Sequence, residues 1–272
     1  MRIRFLGTAA AEGWPGVFCD CESCQRAKAA GGKNIRTRCS IQIDEVYKVD
    51  LPPDTYLHAL RYGIDLLSVE HLLITHAHQD HIYAKELNMR AYPFSAGSTP
   101  KTLHVYGNSL VGELLKREVP ELSKCKVEFH IVRPFQRFRA GDLSVLALPA
   151  NHDRGNQDSL IYAVERMGKN ILVSFDTASY LEETWEQMIG IEFDLLIMDC
   201  TYGPFSSRGG HMGLGDIVEI KRKMERLGML KEGARVIATH FSHNGGLLHE
   251  EMEDRFRPYG IEVAYDGMEV EV

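Results

Sequence analysis

Four side chains that can bind a transition metal fall within six consecutive positions, directly after an apolar stretch at residues 69–75. They are His76, His78, Asp80 and His81. Imidazole nitrogens and carboxylate oxygens hold such ions at about 2.0–2.2 Å. The apolar stretch predicts a strand, and a tight turn at its end can direct His76 and His78 at one ion and Asp80 and His81 at a neighbouring ion. The spacing therefore predicts a site for two metal ions, rather than a chance group of surface histidines.

Three more candidate ligands each follow another apolar stretch. They are His152, Asp176 and His240. Each one alone is a weak signal, because a histidine or aspartate after a strand is more often a cap or a turn residue. Together with the first cluster they place suitable chemistry at four predicted strand ends, which favours a single metal centre built from distant parts of the chain.

A second cluster consists of cysteines. Cys19, Cys21 and Cys24 lie within six positions, whereas the other three cysteines of the chain are scattered. In a reducing cytosol such a cluster more often binds metal than forms disulfides. Three thiolates are one short of the four ligands of a structural zinc. The residues leave the fourth ligand open between Cys39 and a histidine from elsewhere.

Two aspartates at predicted strand ends, Asp50 and Asp199, have two open roles. Each can accept a hydrogen bond from a metal-binding histidine and so orient it, or it can serve only in the local structure. His104 and His249 receive no functional role from the sequence.

The remaining sequence predicts the elements that must position these side chains. The predicted strands are residues 2–6, 40–49 (as a strand or a hairpin), 69–75, 103–106, 126–132, 143–148, 160–165, 171–175, 195–199, 235–239, 262–265 and 269–272. The predicted helices are residues 23–30, 54–62, 82–88, 182–188, 216–227 and 250–256. Many short strands mixed with helices predict an α/β fold in which sheets are enclosed between helix layers.

Composition and charge exclude several classes of protein. The chain has 272 residues, of which 44% are hydrophobic and 25% charged, and its net charge is −7. Without a linker or a shift in composition, residues 1–272 are expected to form a single domain. The negative charge makes nucleic acid an unfavourable partner, because backbone binding depends on Lys and Arg. No apolar stretch approaches the ~20 residues of a membrane span and no secretory signal is recognisable, so we expect a cytoplasmic protein without membrane contact.

The metal-binding pattern resembles the signature of metallo-β-lactamase-fold hydrolases over almost the whole chain. The resemblance implies an αββα sandwich, in which two mixed β-sheets flanked by helices hold the metals at one edge. It also implies a ligand assignment. The first metal is held by His76, His78 and His152, the second by Asp80, His81 and His240, and Asp176 bridges both.

A narrower resemblance comes from the run Leu6-Gly7-Thr8-Ala9-Ala10 through Cys24, together with Thr239-His240-Phe241-Ser242-His243. Both segments resemble the phosphoribosyl cyclic phosphodiesterases of the carbon–phosphorus lyase pathway. That family implies a structural zinc bound by Cys19, Cys21, Cys24 and His243. It also implies that His211, in the context Gly210-His211-Met212, is a phosphate-site or acid–base residue, and Arg208 nearby can add a guanidinium for a phosphate.

The expected reaction is hydrolysis of a small or cyclic phosphodiester. Two ions lower the pKa of a bridging water so that hydroxide forms near neutral pH and attacks phosphorus. Asp80 and His211 are the expected catalytic residues, with His211 protonating the leaving oxygen. Zinc and manganese both suit a site of nitrogen and oxygen ligands, so the metal stays open. The oligomeric state also stays open, with a homodimer as one option.

Three alternatives accompany this interpretation. One is a ribonuclease similar to those that trim transfer-RNA 3′ ends, which the acidic charge and the lack of a basic insertion disfavour. Another is a pyrroloquinoline-quinone biosynthesis protein, which shares the start and the cysteine pattern but usually has a degenerate histidine loop. The third is a catalytically silent metal-binding protein, which the complete ligand set disfavours.

Overall fold

Fourteen strands among the described residues of this computed structural model form two mixed sheets of seven strands each. The structure describes residues 1–97, 100–207 and 209–272. The strands are β1 (Arg2–Gly7), β2 (Ser40–Ile43), β3 (Tyr47–Val49), β4 (His71–Leu73), β5 (Leu103–Gly107), β6 (Val127–Ile131), β7 (Arg137–Ala140), β8 (Leu143–Pro149), β9 (Leu160–Arg166), β10 (Lys169–Ser174), β11 (Phe193–Asp199), β12 (Leu230–Thr239), β13 (Glu262–Val263) and β14 (Glu269–Glu271). The order is β14-β1-β2-β3-β4-β5-β6 in the first sheet and β13-β12-β11-β10-β9-β8-β7 in the second.

Strand direction explains why one edge of the sandwich can collect functional side chains. In the first sheet β3, β4, β5 and β6 are mutually parallel. In the second sheet β10, β11, β12 and β13 are parallel. Strand β8 runs in the same direction as β10, because each pairs antiparallel with β9. The carboxyl ends of these strands therefore lie together within each sheet, where ligand sites of α/β folds usually form.

Helices cover both outer faces of the paired sheets. They are α1 (Glu22–Ala30), α2 (Thr55–Tyr62), α3 (Ser109–Glu118), α4 (Glu182–Met188), α5 (Leu214–Arg226) and α6 (His249–Phe256), with 3₁₀ segments at Gly32–Asn34, Ala84–Arg90, His243–Gly245 and Arg257–Tyr259. None of the helices within the described residues has the length and apolar character needed to cross a lipid bilayer.

Three apolar clusters hold the layers together. The central cluster lies between the two sheets and includes Phe5, Tyr162 and Phe175. A second cluster packs α4, α5 and α6 against the second sheet, and a third packs α3 against the first. The layer order is therefore helix, sheet, sheet, helix, which confirms the expected αββα sandwich of two mixed sheets.

Local sequence accounts for the elements that border the centre. Strand β10 contains the apolar run Ile171–Val173, and its residues from Ile171 to Ser174 are all buried, as expected for a strand covered on both faces. Helix α3 begins where the side chain of Asn108 accepts a hydrogen bond from the backbone N–H of Val111, at 3.0 Å, which satisfies one unpaired donor of the first turn.

The predicted helix at residues 82–88 is wrong in type and position. The structure has a 3₁₀ segment at Ala84–Arg90, and Ile82 forms an isolated bridge with Leu51 instead. The helical segment begins only at Ala84, because the preceding residues adopt the conformation that places Asp80 and His81 at the centre.

Residues 40–49 form a hairpin, so that option of the prediction is confirmed.

Candidate metal centre

The ends of six strands bring the predicted metal-binding residues and their neighbours to one edge. These are Asp50 after β3, residues 76–81 after β4, His152 after β8, Asp176 after β10, Asp199 at the end of β11 and His240 after β12. The predicted ligands form two groups whose donor atoms lie within 4.8 Å of one another, and Asp176 belongs to both groups.

The first group consists of three imidazoles and one oxygen of Asp176. Nε2 of His76 lies 2.9 Å from Nδ1 of His78, and that same nitrogen of His78 lies 3.3 Å from Nε2 of His152. Oδ2 of Asp176 lies 3.7 Å from Nε2 of His76 and 3.5 Å from Nε2 of His152. Four electron-pair donors thus surround one small space.

The second group uses the other oxygen of Asp176. Oδ1 lies 3.1 Å from Nε2 of His81 and 2.8 Å from Nε2 of His240. Asp80 completes the group, with Oδ2 at 3.2 Å from Nε2 of His81 and 3.8 Å from Nε2 of His240. The carboxylate of Asp176 therefore presents one oxygen to each group.

Three atoms of the second group are buried without a hydrogen-bond partner within the described residues. They are Nε2 of His81, Nε2 of His240 and Oδ1 of Asp176. Their short separations do not meet the angular requirements of a hydrogen bond. A buried polar group left unpaired costs about 1–3 kcal/mol, so three such atoms facing one another need another partner. A cation is the partner that suits both nitrogen lone pairs and a carboxylate oxygen, and the residues fit a metal ion.

The second nitrogen of each histidine is occupied elsewhere, which determines the tautomer. Nδ1 of His81 donates to Oδ2 of Asp50 at 2.7 Å. The hydroxyl of Thr75 donates to the same carboxylate at 2.9 Å and accepts from Nδ1 of His76 at 3.0 Å. Both imidazoles are thereby held with Nε2 free toward the centre, which is how supporting residues usually orient metal ligands.

The second sheet repeats this arrangement with Asp199 and Thr201. The hydroxyl of Thr201 donates to Oδ1 of Asp199 at 2.7 Å and accepts from Nδ1 of His240 at 2.8 Å. Nδ1 of His152 donates to the carbonyl of Gly210 at 2.9 Å. Of the two roles left open for Asp50 and Asp199, the geometry fits the orienting one.

His78 differs from the other imidazoles because it turns Nδ1 to the centre. Its Nε2 donates to Oδ2 of Asp153 at 3.2 Å. Gln157 supports this aspartate, with Nε2 donating to Oδ2 at 3.0 Å, while its own Oε1 accepts from the backbone N–H of Ala77 at 2.9 Å. The sequence reasoning missed Asp153 and Gln157, since nothing in a polar loop marks which of its residues will meet His78.

The carboxylates of the centre shift the pKa values of the imidazoles beside them. Burial opposes ionisation of His81, but Asp176, Asp80 and Asp50 raise its pKa well above the ordinary value. Burial likewise acts against His240, yet Asp176 raises its pKa to about 10. The pKa of Asp176 is well below its usual range despite burial, because His240 and His81 stabilise the carboxylate. The carboxylates thus stabilise positive charge beside them. Either protons on these imidazoles or bound metal ions can supply that charge.

Three residues of the centre are among the non-glycine residues with a left-handed backbone conformation. Asp50, Asp176 and His240 have φ of 62°, 41° and 60°. Left-handed conformations are uncommon for residues other than glycine and cluster at functional sites. The sharp turn at each strand end directs Asp176 and His240 into the centre and places Asp50 behind His81.

His211 lies beside the second group. Its Nδ1 donates to Oδ2 of Asp199 at 2.7 Å, and its ring stacks on that of His240 with centroids 5.6 Å apart. Burial opposes ionisation, but Asp199 raises the pKa of His211 above its ordinary value. Nε2 is left as the nitrogen that can exchange a proton. Arg208, the suggested guanidinium, lies outside the described residues.

The three clustered cysteines meet His243, and not Cys39. The donor atoms of Cys19, Cys21, Cys24 and His243 lie within 4.8 Å of one another, and Nδ1 of His243 is 3.4 Å from Sγ of Cys21. Cys39 is buried against Thr239. The backbone N–H of Cys24 lowers the pKa of Cys21 to about 7, which favours the thiolate that a metal binds.

Comparison with known proteins agrees with the αββα fold and with a family of metal-dependent hydrolases. A family model described as a beta-lactamase superfamily domain matches residues 53–241. A diphosphatase of the PhnP family is similar in structure, with 25% identity, a TM-score of 0.75, and coverage of 100% of this chain and 97% of that one. No curated protein matches the sequence.

Two further solved structures share the fold at lower identity. Zinc-bound PqqB from Methylobacterium extorquens is 18% identical, with a TM-score of 0.78 and full coverage of both chains. The short form of human tRNase Z is 17% identical, with a TM-score of 0.69, and the match covers 100% of this chain and 99% of that one.

Proposed function

Since this chain belongs to the beta-lactamase superfamily and is a metal-dependent hydrolase, we propose that it is a dinuclear phosphodiesterase acting on a small or cyclic phosphodiester. The observation that carries the proposal is the carboxylate of Asp176, whose two oxygens face two separate donor groups. One anion shared in this way suits two dications held about 3.5–4 Å apart.

The residues divide between two ions as the geometry groups them. His76, His78 and His152 would hold one ion, Asp80, His81 and His240 would hold the other, and Asp176 would bridge them. Bound there, zinc or manganese ions would lower the pKa of a water and polarise a phosphoryl oxygen. A structural zinc would be held by Cys19, Cys21, Cys24 and His243, and the free thiols of this cluster suit the reducing cytoplasm.

The protein's own groups would do the remaining work. Asp80 is the most exposed donor of the second group, with a side chain 11% exposed against 4% for Asp176, 1% for His240 and 0% for His81. Its carboxylate is therefore placed to accept a hydrogen bond from the attacking water. His211, held by Asp199, would give a proton to the leaving oxygen. Its side chain is 21% exposed, so Nε2 can be reached by a substrate.

Substrate preference tests the proposal. Protein loaded with zinc or manganese should hydrolyse bis(p-nitrophenyl) phosphate and a ribose cyclic phosphate faster than it opens a β-lactam or cleaves a thioester. Asp176→Ala protein, purified in the same way, is the control for a contaminating hydrolase. Faster turnover of the β-lactam or the thioester would reject the phosphodiesterase and leave the fold untouched.

A second candidate, hydrolysis of a diphosphate, is supported by the 25% identity with a diphosphatase of the PhnP family. The two candidates differ in their leaving groups. A sugar alkoxide needs a proton as it departs, whereas a phosphate leaves readily without one. His211→Ala should therefore slow cleavage of the cyclic phosphodiester much more than cleavage of a diphosphate diester, and the better substrate of the parent enzyme identifies the activity.

A further inference from the structure

Three potential ligands converge on β5 and β6, away from the metal centre. In this parallel pair His104 is in register with Glu128, and Tyr106 with His130. Because side chains alternate along a strand, His104, Glu128 and His130 share one face of the sheet. His104 is also in register with His71, which begins β4, whereas the centre follows the end of β4. His104 and Glu128 thus lie toward the other end of the strands, while His130 is in register with Tyr106 and so with Leu73, the last residue of β4.

The spacing of the donor atoms matches that of a metal site. Nδ1 of His104 lies 3.0 Å from Nε2 of His130 and 3.4 Å from Oε2 of Glu128. Two ligands about 2.0–2.1 Å from a zinc ion at tetrahedral angles are roughly 3.3–3.4 Å apart, so the contact with Glu128 matches directly and the contact between the imidazoles is about 0.3 Å shorter. The imidazole nitrogens of the first group in the metal centre show the same separations, 2.9 and 3.3 Å.

A direct hydrogen bond between the two imidazoles accounts for only part of this geometry. Nδ1 of His104 faces both a nitrogen at 3.0 Å and a carboxylate oxygen at 3.4 Å. One N–H directed at the nitrogen leaves the oxygen with at most the weaker half of a bifurcated hydrogen bond. A cation serves both, because all three atoms can then act as electron-pair donors. Burial, with the charge of His104, lowers the pKa of His130, so this imidazole is neutral and free to bind near pH 7.

The surroundings position the cluster and leave it accessible. The ring of His71 stacks on that of His104, with centroids 5.4 Å apart, and the ring of Tyr106 stacks on that of His130 at 4.8 Å. The side chains of His104 and Glu128 are 32% and 62% exposed, so an ion can enter from solvent. The stacked rings thus fix the two imidazoles, and the cluster stays accessible to solvent.

We propose that His104, Glu128 and His130 form an additional binding site for a zinc-like divalent ion. Two imidazoles and one carboxylate favour zinc over magnesium or calcium, and water would complete the coordination. The ion would join β5 to β6, which is the last strand of its sheet in the described part of the chain. An edge strand has a neighbouring strand on one side only, so an ion bound by both strands would add a second connection between β6 and its sheet.

Metal counting tests the site with Zn²⁺ alone as the probe. Chelator-stripped protein is equilibrated by dialysis against Zn²⁺, and bound zinc per chain is measured for the parent, His130→Gln, Glu128→Gln and Glu186→Gln. We expect His130→Gln and Glu128→Gln each to bind one ion fewer than the parent. Glu186→Gln is the matched control, since this exposed glutamate lies on α4, which covers the other sheet, and it should bind as many ions as the parent.

Folding of each variant is checked by circular dichroism and by a cooperative thermal unfolding transition. The Tm of a folded cluster variant is expected to fall below that of the parent in the presence of Zn²⁺, because the ion would link β5 to β6. Equal zinc counts in the parent and in folded His130→Gln protein would overturn the site and leave only an imidazole hydrogen bond. If His130→Gln does not fold, the count for Glu128→Gln decides, because this exposed side chain can be changed without disturbing the core.

Discussion

Oδ1 of Asp176 lies 2.8 Å from Nε2 of His240, yet neither atom has a hydrogen-bond partner among the residues that the structure describes. Nδ1 of His240 is already committed to Thr201, so the ring cannot turn to satisfy Asp176 without losing that bond. A buried carboxylate and a buried imidazole fixed in this way are arranged as a pair of metal ligands would be. Leaving both atoms unpaired costs stability, and a metal ion bound there would offset that cost.

Removing the shared carboxylate should empty both metal positions. Asp176→Ala should lose both ions of the centre and reduce turnover by more than the ~10–100-fold typical of losing a supporting residue, since one change removes a ligand from each group. His152→Ala is the comparison and should release mainly one ion. Elemental analysis and turnover on the same preparations check this, and two retained ions in Asp176→Ala would contradict the bridging role.

Replacing His211 and replacing His243 should have different effects on turnover, metal content and Tm. His211→Ala should lower turnover by about 10²–10⁴-fold, the usual scale for a positioned acid, with metal content and Tm nearly unchanged. The loss should shrink for p-nitrophenyl esters, whose leaving group needs little protonation.

His243→Ala should show the reverse pattern, as should Cys21→Ser. Each should lose one metal ion and lower the Tm first, with activity falling in consequence, because a structural zinc contributes directly to folding. Metal content, Tm and rate measured on all three variants decide the matter. A swapped pattern would mean that the roles of His211 and His243 are swapped.

The carboxylate behind His81 should control metal affinity without being a ligand. Asp50→Asn cannot accept the Nδ1–H of His81 as strongly, so metal affinity should fall about 10–100-fold. Asp142→Asn is a suitable control, because that carboxylate pairs with Arg166 and touches no ligand. Competition with a chelator of known affinity measures the change, and equal affinities for the two variants would refute the orienting role.

Lys48 should make stability depend on pH. It is 1% exposed, and burial lowers its pKa to about 7 from the ordinary 10.5. Between these values the unfolded chain binds a proton that the folded chain does not, so stability rises with pH across this window. The gain from pH 7 to 9.5 should be at most about 3 kcal/mol. Lys48→Met should lose this dependence, and urea unfolding of both proteins at the two pH values checks it.

The sequence alone predicted much of this architecture. The candidate ligands at residues 76–81 are close together in the chain, so their spacing can be recognised in the sequence itself. The family that this spacing indicated is confirmed by the match over residues 53–241. His152, Asp176 and His240 were found because an apolar stretch ending in a polar residue marks the end of a buried strand. Strand β7 was missed since its alternating charged residues resemble a loop, and α3 was missed although Asn108 marks its start.

The tertiary structure decided which atoms meet. Whether a histidine offers Nδ1 or Nε2 depends on partners far away in sequence, as with Asp153 for His78 and Asp50 for His81. His104 and His130 are 26 residues apart and received no role from the sequence, because only the register of β5 on β6 places them face to face. Periodicity and strand ends are properties of short segments, so the sequence determines them by itself. Pairing register and side-chain contacts arise from packing between segments, and only the folded chain determines those.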